Sequence, residues 1–190
     1  MHSWRVLILP FIEESRLYDR YNFEEPWDSV ANRQLMSECP NVFHMHDEQN
    51  ERDEITNYLA VIGDDTLWPD QGTTGYGTIG YESIPDGSDR TILIVENRRG
   101  GVTWTEPKDL HINTMTLTPG TDPVSGISSW KNPPAVVFAD GSIHQLDTNV
   151  TANDVRALLQ RSDERGNPEI APELEDGRDR PAAPILPDPE

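Results

Sequence analysis

The chain has 190 residues, 35% hydrophobic, and its 15 Lys and Arg against 34 Asp and Glu leave a formal charge of −19. A field of that sign opposes phosphate backbones and anionic lipid, which argues against nucleic-acid binding and favours cations or basic partners. A single cysteine, Cys39, rules out an intramolecular disulfide framework and any cysteine-rich zinc site.

The first packing run, Trp4 followed by Val6 to Ile12, begins within four residues of Met1. Arg5 precedes it, but Glu13-Glu14 follow at once and no Ala-x-Ala cleavage site is present, so it does not read as a signal peptide. A spanning helix needs about 20 apolar residues. No stretch comes close, so neither a signal nor membrane insertion is expected in the chain as given. Residues 4–9 read as a short buried segment. Pro10 suits the first turn of a helix over 10–20, with Phe11, Leu17, Tyr18 and Tyr21 on one stripe facing a core. Asp28 or Ser29 caps a second helix, 29–37, which Pro40 ends.

"NYLAVIG" (57–63) is strand-like, and residues 64–80 look like a long loop. "TILIVEN" (91–97) is the clearest strand; its unbroken apolar run predicts a central position covered on both faces. "AVVFADGSIHQLD" (135–147) reads as a hairpin whose Asp140-Gly141 pair favours a type I′ turn. Thr151 and Asp154 form a capping box that opens a helix over 152–161, with Val155, Leu158 and Leu159 as its apolar face. Strands and helices do not alternate as βαβ units. The expected class is therefore α+β: a small antiparallel sheet with short packed helices, rich in loops. No internal repeat is visible.

The chain divides at about residue 162. Residues 163–190 hold six prolines and nine acidic groups against three arginines, with almost no aliphatic content. Such a segment cannot bury enough apolar surface to offset its ordering entropy, and it is expected to be a disordered acidic tail behind a globular domain, 1–162.

Chemistry-bearing patterns are few, and each has a structural explanation. "HMHDE" (44–48) would put His44 and His46 on one side of a strand with Asp47 or Glu48 nearby, but no third ligand follows from the sequence. "GTTGYGTIG" (72–80) lacks the flanking strand and helix of a dinucleotide fingerprint and the lysine of a P-loop. "DGSD" (86–89) offers oxygen ligands without the remaining calcium-loop spacing, and a turn feeding the next strand explains it better. His2, His111 and His144 stand alone. Carboxylate pairs are inevitable among so many acids, and a glycosidase-like dyad needs geometry to be argued. Asn149-Val150-Thr151 matches a glycosylation sequon. The tryptophans at 4, 27, 68, 104 and 130 are core or boundary residues before they are a sugar-stacking platform.

Five blocks in order carry a resemblance: "SWRVLILPFIEESRLYDRYNFEEPWDSVANRQL" (3–35), "TNYLAVIGDDTLWP" (56–69), "DGSDRTILIVEN" (86–97), "VTWTEPKDL" (102–110) and "VVFADGSIHQLDTNVTANDVRALLQR" (136–161). Over about 3–162 the chain resembles a large domain-of-unknown-function family of planctomycetal pilin-like proteins, with the FADGS motif at 138–142. Members of that family begin with a prepilin-type leader and a long apolar helix, as in type IV pilins and type II secretion pseudopilins. The chain as given starts within the head that follows them. Many members carry a His ten residues before the Asp-Gly pair, where this chain has Trp130.

The resemblance implies a pilin-head-like fold, an extracytoplasmic place in the cell envelope and protein partners in an envelope assembly. It brings no enzymatic activity, cofactor, catalytic residue or metal ligand. The expected function is a non-enzymatic structural or interaction domain. Two alternatives stand behind it: a calcium- or glycan-binding module, motivated by the charge, "DGSD" and the tryptophans, and a hydrolase using carboxylates or a metal at His44 and His46.

Overall fold

The first element starts at Ser3, whose hydroxyl accepts the Arg5 amide at 3.3 Å and caps α1, Trp4–Leu7. In the computed structural model, which describes residues 1–45, 54–69, 80–162 and 175–176, this segment is buried as its apolar run requires, with Val6 and Leu9 at 0% exposure. The single helix expected over 10–20 does not form. Pro10 lies in a 3₁₀ turn, Leu9–Phe11, and Glu13 adopts φ +67° before α2, Ser15–Arg20. That left-handed residue resets the helical phase. Leu17 and Tyr21 still face the core, but Phe11 is turned out to 86% exposure. The expected stripe joined residues that belong to two helical turns.

The Ser29 hydroxyl accepts the Asn32 amide at 3.2 Å and starts α3, Val30–Arg33. This helix is shorter than the expected 29–37: a separate 3₁₀ turn, Met36–Glu38, follows it, and Cys39 is extended ahead of Pro40. The residue before a proline is pushed away from helical angles by the ring.

Residues 57–63 also divide. After β1, Ile55–Thr56, come β2, Tyr58–Leu59, and β3, Val61–Ile62, which belong to different sheets. The cause lies between them. Ala60 donates its amide to Oδ1 of Asp109 at 2.8 Å, and its carbonyl accepts from Leu110 at 3.1 Å, so the ladder changes partner there.

The main sheet adds β4, Ile92–Glu96, then β7, Ala135–Phe138, β8, Ile143–Gln145, and β9, Glu175–Asp176; its order is β2-β4-β7-β8-β9 and every pair is antiparallel. β4 is an inner strand between β2 and β7, whereas β7 holds the middle; Leu93 and Ile94 are only half-buried, so β4 is not covered on both faces as its apolar run predicts, and its register shifts between Ile92 and Ile94. Two small pairs complete the strands: β1 with β5, Val102–Thr103, antiparallel, and β3 with β6, Leu110–His111, parallel. The fold is α+β, with short helices and small, mainly antiparallel sheets joined by loops. The acidic segment 163–190 lies outside the described residues except for β9, whose backbone pairs with His144 and Gln145.

The hairpin between β7 and β8 is closed differently from the expected type I′ turn. Gly141 donates to the Phe138 carbonyl at 2.9 Å, Phe138 donates to the Ser142 carbonyl at 2.9 Å, and Gly141 (φ +86°) is the loop's positive-φ residue. A type I′ turn needs two such residues; this is the three-residue loop in which a glycine forms the bulge. α4, Ala152–Leu159, is capped by Thr151, which accepts the Asp154 amide at 3.2 Å. The Asp154 carboxylate takes the Thr151 hydroxyl at 2.6 Å instead of a free backbone amide.

Two apolar clusters result. The sheet packs Leu59, Val95, Ile127, Phe138 and Leu146 against Val155 and Leu159 of α4. The N-terminal turns gather Val6, Leu9, Leu17, Tyr21, Leu35 and Phe43 around Trp104.

Candidate functional site

Arg5 is the one charged residue inside the opening apolar run, and the fold buries it completely. Its Nη2 donates to Oδ1 of Asp109 at 2.6 Å and to the Tyr58 carbonyl at 2.9 Å, while Nη1 reaches Oγ of Ser3 at 3.1 Å. The same Asp109 oxygen also accepts from the Trp4 indole at 3.2 Å. Burial pulls the Arg5 guanidinium below its ordinary value and pushes the Asp109 carboxyl above its own, each opposed by the partner's charge. All of Asp109's contacts hold α1 against β2 and β3, so this pair is a clamp between the two clusters.

Beside the clamp a groove of about 650 Å³ runs between His2, Trp4 and Leu7 on one side and Trp68, Pro69 and Pro107 on the other. The Trp4 and Trp68 rings stand 5.6 Å apart and tilted by 38°, and Trp68 is fixed by its indole bond to the Leu93 carbonyl at 2.9 Å. Met1 and Leu7, which line this groove, are 66% and 50% exposed, and Phe11, four residues beyond Leu7, is 86% exposed. Exposed apolar residues gathered along a groove mark interaction sites.

A second cavity, about 440 Å³, lies where β2 and β4 end, between His44, Tyr58, Glu96, Ser129, Trp130 and Lys131. Tyr58 and Glu96 are direct cross-strand partners. Oε2 of Glu96 accepts the Ala135 amide at 2.7 Å, which ties the start of β7 to the cavity wall. The guanidinium carbons of Arg98 and Arg99 lie 5.5 and 5.2 Å from the Trp130 ring centre. Among the described residues, Nε2 of His44, Nε1 of Trp130 and Nε of Arg98 are buried without a hydrogen-bond partner.

The other patterns singled out in the sequence fall elsewhere. His46, Asp47 and Glu48 lie outside the described residues, as does "GTTGYGTIG" apart from Gly80. Among the described residues, no group of three or more His, Cys, Asp or Glu is placed to hold a metal ion. "DGSD" is a turn: Gly87 has φ +98°, Arg90 donates to its carbonyl at 3.2 Å, and β4 follows. His2 is engaged with the Tyr21 hydroxyl at 2.9 Å and the Phe23 carbonyl at 3.1 Å. Burial pushes that Tyr21 hydroxyl up to about 12, so His2 faces a neutral phenol. Asn149 and Thr151 of the sequon are exposed. Trp104 is fully buried, and the remaining tryptophans are half-buried.

The FADGS hairpin brings Asp140, Ser142 and His144 together, with Ser142 Oγ 2.6 Å from Oδ1 of Asp140 and 3.0 Å from Nε2 of His144. The order is wrong for a nucleophilic triad. The carboxylate holds the hydroxyl instead of the far ring nitrogen, and among the described residues His144 Nδ1 is buried without a partner. The Ser142 hydroxyl and then its amide hold the Asp140 carboxyl below the usual carboxylate range. Trp130 precedes β7 and Asp140 follows it, so the two positions stand at opposite ends of that strand.

A family model described as "Protein of unknown function (DUF1559)" matches residues 1–167. The chain belongs to that family. The match takes in every feature of the DUF1559 domain described above except β9. No curated protein and no solved structure matches the chain. Among the described residues no helix is long and apolar enough to cross a membrane.

The sequence does not single out Arg5, Asp109 or the Arg98-Arg99 pair as a site, because they belong to three different segments and no spacing links those segments. A lone arginine inside an apolar run was the one available signal: a charge there needs a buried partner.

Proposed function

We propose that this chain is a non-enzymatic, pilin- or pseudopilin-like head domain that serves structure or interaction in the cell envelope. The observation that carries the reading is the exposure of Met1, Leu7 and Phe11, the first two of which line the Trp4–Trp68 groove. Membership of the DUF1559 family and the five ordered blocks of resemblance support it. A rigid head with exposed apolar residues at its N-terminal end fits packing against an apolar helix of an envelope assembly. The Arg5–Asp109 clamp stiffens that end by fixing α1 to the sheet.

Cell fractionation combined with crosslinking tests this, with the gene expressed from its own locus. The wild-type chain is expected in the envelope fraction and in crosslinked complexes. Leu7→Glu with Phe11→Glu should abolish most crosslinks while leaving the melting temperature nearly unchanged, since substitutions at exposed positions usually cost within about 0.5 kcal/mol. A wholly cytoplasmic wild-type protein, or crosslinks indifferent to the double substitution, would refute the proposal.

A further inference from the structure

We propose that the cavity between His44 and Trp130 is a binding site for a carboxylate-bearing ligand. This goes beyond the interaction role, which rests on the separate N-terminal groove.

The first support is the polarity of its unpaired atoms. Buried polar groups almost always find partners, and each one left unmade costs about 1–3 kcal/mol. Among the described residues, Trp130 Nε1 and His44 Nε2, both on residues that line the cavity, are buried without partners. The indole can only donate, and the imidazole donates from Nε2 in one of its tautomers. Two such donors on one cavity suit a ligand rich in acceptors. A carboxylate supplies two oxygens with about four lone-pair sites and no competing donor.

The second support is local charge. Arg98 and Arg99 flank the Trp130 ring and Lys131 lines the cavity; among the described lining residues the one carboxylate is Glu96, whose Oε2 accepts the Ala135 amide. A basic cluster on a chain of net charge −19 concentrates a small anion where the rest of the surface repels it. The overall field penalises a multiply charged phosphate more than a singly charged carboxylate. A volume of about 440 Å³ suits a small organic acid or one acidic side chain.

The segment that carries Trp130 and Lys131 and the arginines against the Trp130 ring are also held in place. Arg98 donates its amide to Oγ of Ser128 at 3.2 Å, and Arg99 donates its own to the Pro123 carbonyl at 3.0 Å. The Lys131 amide reaches Oγ of Ser129 at 3.2 Å, and that hydroxyl lies 3.4 Å from the Met45 sulfur. The donors are presented by anchored backbone instead of by free loops.

Two sources could provide the carboxylate: a free organic acid, or an Asp or Glu of the acidic segment 163–190. The test is the indole N–H resonance of Trp130 in two-dimensional NMR of the full chain, assigned by its disappearance in Trp130→Phe. Acetate and succinate, titrated against chloride at matched ionic strength, should move it in a saturable way while the other four indole signals stay put. His44→Phe, which keeps a ring but removes Nε2, should weaken binding at least fivefold. In a variant with the acids of 163–190 replaced by Asn and Gln, a moved starting resonance with tighter succinate binding identifies the chain's own segment as the source. An unmoved resonance with unchanged binding identifies a free acid. No saturable shift in either protein, an equal shift with chloride, or saturation by phosphate but not by carboxylates overturns the proposal.

Discussion

Asp109 shows how much one side chain can settle. Its Oδ1 accepts from Arg5, Trp4 and the Ala60 amide, so a single oxygen holds the N-terminal helix, an aromatic wall of the groove and the break between β2 and β3. A buried ion pair is weak evidence for net stability, because desolvating both charges offsets their attraction; breaking it from one side is costly. Asp109→Ala should therefore destabilise the fold by about 3–5 kcal/mol, since it strands the Arg5 charge at zero exposure. Arg5→Met with Asp109→Asn removes both charges and keeps an acceptor for Ala60. The double variant should lose less than the sum of the single ones, with a coupling of about 2 kcal/mol in urea unfolding. Additive losses would show that the two side chains do not act as a pair.

At the scale of elements, the readable features were those fixed by local chemistry. Ser29 and Thr151 both cap helices, the apolar run 91–97 contains the inner strand β4, and "DGSD" is the turn that feeds it. Failures came where a distant residue or one backbone angle intervened. Glu13 in the left-handed region splits the expected helix and exposes Phe11; Asp109 takes the Ala60 amide and splits the expected strand. Neither event has a periodic signature. The FADGS hairpin lies between these cases: its location was legible, but its turn type was not, because Asp-Gly serves two loop geometries. Gly141 at φ +86° is the position that distinguishes them, and a Cβ there would meet nothing within 4 Å. Gly141→Ala thus measures backbone strain alone, expected at about 1–2 kcal/mol for an L-residue in the left-handed region. Asp140→Gly, which relaxes a residue outside that region, should not restore the loss. Thermal unfolding of the three proteins checks this, and a neutral Gly141→Ala would contradict the bulged loop.

At the scale of the whole molecule, the two apolar clusters could have been two folding units, and their sequence order suggests as much: the N-terminal turns come first and the main sheet later. Trp104 argues otherwise. It follows β5, yet its ring is fully buried in the N-terminal cluster, stacked on Phe43 at 6.2 Å with its indole on the Met36 carbonyl at 3.0 Å. Its own amide donates to the Glu54 carbonyl at 2.9 Å, beside β1. Arg5 makes the reverse crossing, from the N-terminal turns to Tyr58 of β2. Each cluster therefore contains an essential part of the other's chain, and neither can open without exposing it. The expected behaviour is a single cooperative transition, with near-UV signals from the aromatic cluster and far-UV signals from the sheet coinciding in urea. Trp104→Ala should cost about 3–5 kcal/mol, the range for removing a large buried aromatic ring. With that link removed, the near-UV transition should move to lower urea than the far-UV one. Wild-type transitions that already separate would mean that the N-terminal turns fold independently and that these crossings do not couple them to the sheet.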